Sequence, residues 1–283
     1  MKYVVRAMVE KDLVNGLQLS EMSGWNQKYG DWRFLFDLPN GNHWVVERNS
    51  RVVATLMCIS HGPKLGWIAM VLVHPAHRRK KLATRLLNQV FISNASIAYY
   101  LDATSQGSQV YKTLDFMPFS SYERLTLDLE QKNVRVLIAS EQVTALSKDM
   151  MPLVLEKDLT WFGADRSVIL ERLFTIYPKR CWVVKNHEEV IGYCFGRPGR
   201  NFDQIGPVVS QDVAVARSLV AHACNATQRV PLVIDIHSDR HQVKQFLQDV
   251  GFVRQRSFVR MCKGSMQKMS DHAIIASAGP ELG

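Results

Sequence analysis

The chain has 283 residues, is 47% hydrophobic and carries a formal net charge of +9. That length suits one large or two ordinary domains, and the charge favours an anionic partner. No block of like charges is longer than Arg78–Lys81 and no apolar run approaches the roughly 18 residues of a membrane helix, so neither nucleic acid nor a membrane is expected as a partner.

Five cysteines occur, at 58, 181, 194, 224 and 262. Their number is odd and their spacing too wide for a metal knuckle, so no metal is expected. Free thiols, and an N-terminus without a secretory apolar core, point to a reduced, cytoplasmic protein.

In chain order, Tyr3–Ala7 reads as a strand and Glu10–Ser20, with apolar residues at Leu13, Leu17 and Leu19, as a helix. Trp25 and Asn26, then Asp31 and Trp32, follow in a polar, glycine-bearing stretch. The tryptophans either cap a core or wall an acceptor pocket. His43–Glu47, Arg51–Ile59 and Gly66–Val73 read as three successive strands, turned at Asn49-Ser50 and at His61–Lys64. Pro75 ends the third, because proline cannot extend a ladder. The cations Arg78, Arg79, Lys80 and Lys81 come next, and Leu82, Leu86, Leu87 and Val90 fall at helical spacing. A buried strand, a cationic turn and a helix N-terminus in that order form a candidate pyrophosphate site: the turn supplies charge, and the helix end supplies unpaired N–H groups. Taken alone, the basic run reads as a solvated face; the strand and helix on either side are what favour a site. Ala98–Ala103 reads as a strand, Thr104–Gly107 as a break, Val110–Phe116 as a short helix, and Tyr122–Leu129 as the closing strand of a first α/β lobe.

The second half repeats the first. Trp-Val-Val begins at 44 and again at 182, and the phenylalanines closing corresponding helices stand at 116 and 252. The near-constant offset indicates a duplicated fold, with domains of 1–131 and 132–283. The second copy has no arginine-rich turn. Asp212 stands there instead, and Leu247 falls near the position of Tyr111. Pyrophosphate binding is therefore expected to be poor in the second copy, which is expected to pack on the first and help shape its acceptor site. Phe202–Ile205 and Asp235–Asp239 offer polar groups for such a cleft.

The stretch Val73–Leu87 resembles motif A of the GNAT acetyltransferases, V-x-P-x-x-R-x-x-G-x-G/A-x-x-L-L, with Arg78 on its arginine and Ala83 on its last small residue; Lys81 replaces the first glycine. Leu101–Phe116 resembles motif B, ending Y-x-x-x-G-F, with Tyr111 and Phe116 in place and Asp115 replacing the glycine. Gly24–Asn26, Asp31-Trp32, Trp67–Pro75 and Ala278–Gly283 extend the likeness to a two-lobed bacterial branch of that family. The resemblance implies two tandem GNAT-like α/β domains, each a mostly antiparallel mixed sheet flanked by helices. It implies an acetyl-CoA-dependent N-acetyltransferase acting on a small-molecule or peptide amine in a ternary complex, without a metal. Val71, Leu72 and Val73 would pair with the pantetheine arm. Arg78, Arg79, Lys80, Lys81, Leu82, Ala83 and Thr84 would hold the pyrophosphate, and Tyr111 would protonate the departing thiolate. Trp25, Asn26, Asp31, Trp32 and Asp102 are the candidates for acceptor binding, and Asp31, Asp37, Glu47 and Asp102 for a general base. The alternative is a non-catalytic acyl-CoA-binding sensor or interaction protein, favoured by Lys81, Asp115 and the missing strand carboxylate.

Overall fold

The computed structural model describes residues 2–93, 98–128, 142–227, 231–265 and 272–283. The position expected for the domain boundary, at 131/132, lies outside them.

The first lobe runs β1 (Val4–Ala7), α1 (Leu13–Met22), α2 (Tyr29–Phe36), β2 (Trp44–Arg48), β3 (Arg51–Ser60), β4 (Leu65–Val73), α3 (Leu82–Ser93), β5 (Ala98–Thr104), α4 (Ser105–Lys112) and β6 (Met117–Leu127). The second runs β7 (Val143–Ala145), α5 (Met151–Phe162), α6 (Ser167–Ile176), β8 (Cys181–Asn186), β9 (Glu189–Pro198), β10 (Asp203–Ser210), α7 (Val213–Asn225), β11 (Leu232–His237), α8 (His241–Val250) and β12 (Val253–Lys263). The order is the same in both, as the repeat predicts. One further strand, β13 (Ile274–Ala276), follows.

Local chemistry sets several boundaries. The stretch Thr104–Gly107, read from sequence as a break, is instead the start of α4. The Thr104 hydroxyl accepts from Gly107 N at 3.2 Å, so threonine acts as an N-cap and helix begins at once. The segment 30–38 received no sequence assignment; its helix α2 opens with Asp31 accepting from Lys28 N at 2.7 Å, and Trp32 is fully buried.

Among the described residues the strands form a single sheet, ordered β1-β2-β3-β4-β5-β12-β6-β11-β13-β10-β9-β8-β7. The lobes exchange their last strands. β12, from the second, lies antiparallel between β5 and β6, while β6, from the first, pairs along β11. Sequence alone read Tyr122–Leu129 as the strand that closes the first lobe; the described part of that stretch pairs with β12 and β11, both from the second lobe. The largest apolar cluster joins Leu13, Trp32, Leu35 and Trp67 to Phe162, Leu170, Phe195 and Leu282, so one core runs through both halves. Two smaller clusters lie under α3 and under α7 with α8.

Each lobe has one parallel strand pair that parts. β4 and β5 pair only over Leu65–Trp67 with Ala98–Tyr100. Beyond Trp67, β4 carries a bulge at Met70, where φ is 53° and the Thr55 hydroxyl donates to Met70 O at 2.9 Å. Such a bulge turns the strand away from its neighbour. In the second lobe β10 and β11 pair over Asp203–Ile205 with Leu232–Ile234 and then part as well. There β13 enters the opening, pairing with β10 at Val208 and Val209 and with β11 at Ile236.

Candidate active site

The gap between β4 and β5 opens into a cavity of about 130 Å³. Its walls come from both lobes. Ile68–Val71 and Leu101–Thr104 supply the strand side, Trp25–Gln27 the loop between α1 and α2, Arg124 lies on β6, Arg197 and Gln204 come from the second lobe, and Pro280 with Glu281 from the C-terminal segment. Tyr111 of α4 stands at the strand side, half-buried. Its hydroxyl makes no hydrogen bond among the described residues, and burial pushes the phenol above its usual range. It therefore keeps its proton at neutral pH.

Four arginines line or back this cavity. Arg124 grips Asp235 bidentately at 2.7 and 2.7 Å, and Gln204 Nε2 also donates to Asp235, at 3.0 Å. Arg260 grips Asp102 at 2.8 and 2.8 Å. Arg197 donates to Asp31 at 2.9 Å and to Glu281, which also accepts from Gln27 at 2.9 Å. Buried pairs of this kind hold a wall rigid, since removing one member strands the other's charge. Burial raises Asp102 and Asp31 above the ordinary carboxylate range, against the pull of Arg260 and Arg197. Burial acts the same way on Glu281, but Arg197 and Gln27 outweigh it and hold that carboxyl below its usual range. The fourth arginine, Arg256, has no such partner. A larger cavity, about 500 Å³, lies at the other end of β3 and β4 beside Asn42, Gly62 and Asp165. The one cation lining it, Arg166, is already bound to Asp158 at 2.8 Å, so it offers a ligand little free charge.

Of the acceptor-site candidates, Trp25, Asn26 and Asp102 line the smaller cavity. Asn26 spends its side chain on the lobe contact: Nδ2 donates to Phe202 O at 2.9 Å, and Oδ1 accepts from Asn201 N at 2.8 Å. Asp31 sits behind the wall on Arg197. Trp32 lies in the core rather than on the cavity, its indole N–H donating to Ser20 at 3.1 Å. Asp37 and Glu47 pair with surface arginines away from the cavity. Gln204 is the residue of Phe202–Ile205 that reaches the wall, whereas Asp203 is turned to Arg180. Sequence reasoning missed Arg197, Arg256 and Glu281. Glu281 had a signal, the closing stretch Ala278–Gly283 that resembles the two-lobed GNAT branch, but nothing local ties it to residues over 80 positions away.

At the far end of β4, Arg78–Lys81 are exposed and make no ion pair among the described residues. Leu72 and Leu82 face the core, so only their backbone is free to meet a ligand. Lys81 has φ of 56° and Asp115 φ of 64°. These are the two positions at which the GNAT motifs carry glycine. The left-handed backbone that glycine would ease is therefore kept without it, which removes the argument for a sensor that rested on those departures. In the second lobe the matching helix α7 is capped by Asp212, whose Oδ1 accepts from Ala214 N at 2.7 Å and Val215 N at 2.9 Å. A carboxylate stands there on the N–H groups that an anion would use. Leu247, opposite Tyr111 in the repeat, is fully buried. Among the described residues no cluster of three or more histidine, cysteine or acidic side chains is placed to hold a metal, and no helix is long and apolar enough to cross a membrane.

A duplicated mixed sheet with one open strand gap and a cationic turn is a framework that can hold an extended, anionic ligand. Residues 12–93 match the model of the acetyltransferase (GNAT) family, and residues 154–276 match that of an acetyltransferase (GNAT) domain. The two matches fall in separate halves and together span well over half of the chain, so the protein belongs to the GNAT acetyltransferase family and is an acyltransferase enzyme with a domain of that kind in each half. It is 23% identical over 278 residues to the holothin acyltransferase of a Pseudoalteromonas species, covering 98% of this chain and 92% of that one. It is also 23% identical over 247 residues to YitH, an uncharacterized N-acetyltransferase of Bacillus subtilis, covering 86% of each. Its fold superposes on a putative acetyltransferase from Pyrococcus horikoshii with a TM-score of 0.82 at 20% identity, covering 99% of this chain and 96% of that one. A tandem GNAT protein from the clavulanic acid biosynthesis pathway gives 0.66 at 14% identity, covering 94% and 99%.

Proposed function

We propose that the protein is an acetyl-CoA-dependent N-acetyltransferase whose first lobe, within residues 1–131, holds the acyl donor, and whose second, within 132–283, completes the acceptor site. One observation carries this reading: the gap between β4 and β5 is open and leads along β4 to the cationic turn, whereas its counterpart is filled by β13 and its helix end is capped by Asp212. The backbone of Val71–Val73, with no strand partner on the β5 side, suits an extended pantetheine arm. Arg78, Arg79, Lys80 and Lys81, with the amides of Leu82, Ala83 and Thr84 at the start of α3, suit the pyrophosphate.

Transfer then follows directly. The acceptor nitrogen attacks the thioester carbonyl, the C–S bond breaks, and the thiolate takes the Tyr111 proton; the proton lost by nitrogen returns to Tyr111 through solvent. An amine of pKa about 10.4 is roughly one part in a thousand neutral at pH 7, and a desolvating cavity recovers up to about 4 kcal/mol of that penalty. Trp25 and Asp102 lie where they can wall the acceptor. Five unpaired, buried cysteines suit a reducing cytoplasm.

Calorimetry with coenzyme A tests the donor half: one site per chain, weakened about tenfold or more by Arg78→Ala with Arg79→Ala. An unchanged affinity removes the pyrophosphate assignment. Release of free thiol from acetyl-CoA across an amine panel tests the transfer.

A further inference from the structure

The cavity's charges are not evenly matched. Arg124 is neutralised by Asp235, Arg260 by Asp102, and Arg197 lies between two carboxylates, Asp31 and Glu281. Arg256, on β12, has neither a carboxylate nor a hydrogen-bond partner among the described residues, and its Nε is buried. It stacks over Phe258 at 5.1 Å, and Arg124 lies over the same ring at 5.2 Å. Two guanidiniums thus share one aromatic ring, and only one of them is paired with a carboxylate. Burial and the neighbouring Arg124 lower Arg256 to about 10, against the more distant pull of Asp235 and Glu281, neither of which forms an ion pair with it, so it stays charged at pH 7.

A half-buried, unpaired cation beside another cation is costly for the fold. The fork geometry of guanidinium matches a carboxylate bidentately. Arg197 carries two carboxylates, Glu281 on the cavity wall and Asp31 behind it, so this part of the cavity holds a local surplus of negative charge that can draw in an amine before it loses its proton. The cavity therefore offers one cationic and one anionic subsite, in a space below the usual range for drug-sized ligands.

Building on the acyl-transfer reading, we propose that the acceptor is an amine that also carries a carboxylate, of amino-acid size, and that its carboxylate pairs with Arg256 at the second-lobe wall. Phe258 lies under the guanidinium, and Arg124, already tied to Asp235, does not compete for the carboxylate.

The test uses products, so it does not depend on turnover. A panel of N-acetyl-amino acids and their matching amides is titrated calorimetrically into the whole protein, as wild type, Arg256→Gln and Arg256→Lys. At least one N-acetyl-amino acid is expected to bind about ten- to a hundredfold tighter than its amide, as a charge-assisted pair is worth. Arg256→Gln is expected to erase that difference while leaving coenzyme A affinity as in wild type, and Arg256→Lys to keep part of it. Equal binding of acid and amide, no binding of any acid, or a preference that survives Arg256→Gln overturns the assignment. Failure of acyl transfer itself shows separately, as no thiol release with any amine, carboxylated or not.

Discussion

Lys81 and Asp115 each hold a left-handed backbone that glycine adopts without strain. For other residues that conformation costs roughly 1 kcal/mol. Asp115→Gly should therefore raise stability by up to about 1 kcal/mol in urea unfolding; the pair it loses with Lys263 is exposed and worth little. A loss of stability would mean the Asp115 side chain matters more than its backbone. For Tyr111, the free hydroxyl and a raised pKa suit a proton donor. Tyr111→Phe should lower turnover by about a hundredfold with acetyl-CoA affinity nearly unchanged; an undiminished rate would leave the ring as packing. Motif spacing made Tyr111 and the cationic turn legible in the sequence. Arg256 was not, because its meaning comes from what fails to face it, and no linear pattern records a missing partner.

The strand β13 and the Asp212 cap together explain why the second lobe's gap differs from the first. A Cβ at Gly206 would lie 2.0 Å from Ser277 O, so β10 accepts the incoming segment only because that position carries no side chain. Gly206→Ala should displace β13 and cost several kcal/mol, seen as a lowered urea midpoint; a wild-type midpoint would show the segment to be loosely held. Asp212→Ala should cost about 1 kcal/mol through the lost cap. Most of the first lobe's strands and α3 were readable from periodicity, and the duplication from the repeat at 44 and 182; α2 and the start of α4 were not. Nor was the exchange of β6 and β12. Alternation shows which face of a strand is buried, but not which distant edge its backbone will meet.

Taken together, the exchanged strands and the shared core make the two lobes one cooperative body. Heating should give a single calorimetric transition rather than two. Acid should weaken it. Burial lowers His43 and His61 to about 4, and the positive Arg166 adds to the effect at His61. Their unfolded value is about 6.5, so between these limits the unfolded chain binds protons that the folded chain refuses. Stability is therefore full above about pH 6.5 and falls as pH drops towards 4, by up to about 3 kcal/mol for each histidine. Urea midpoints at pH 7, 5.5 and 4.5 measure this, and a His43→Asn, His61→Gln variant should show a shallower fall. An identical slope would place the acid-sensitive groups elsewhere.

Filling one gap from within has an evolutionary consequence. A copy relieved of gripping a nucleotide is free to drift, and on the proposed reading its drift is felt where the amine docks. Arg197, Gln204, Arg256 and Phe258 all lie on β9, β10 and β12, none of which carries the cationic turn. New acceptor specificities are thus best sought by randomising those strands, with the donor half left untouched.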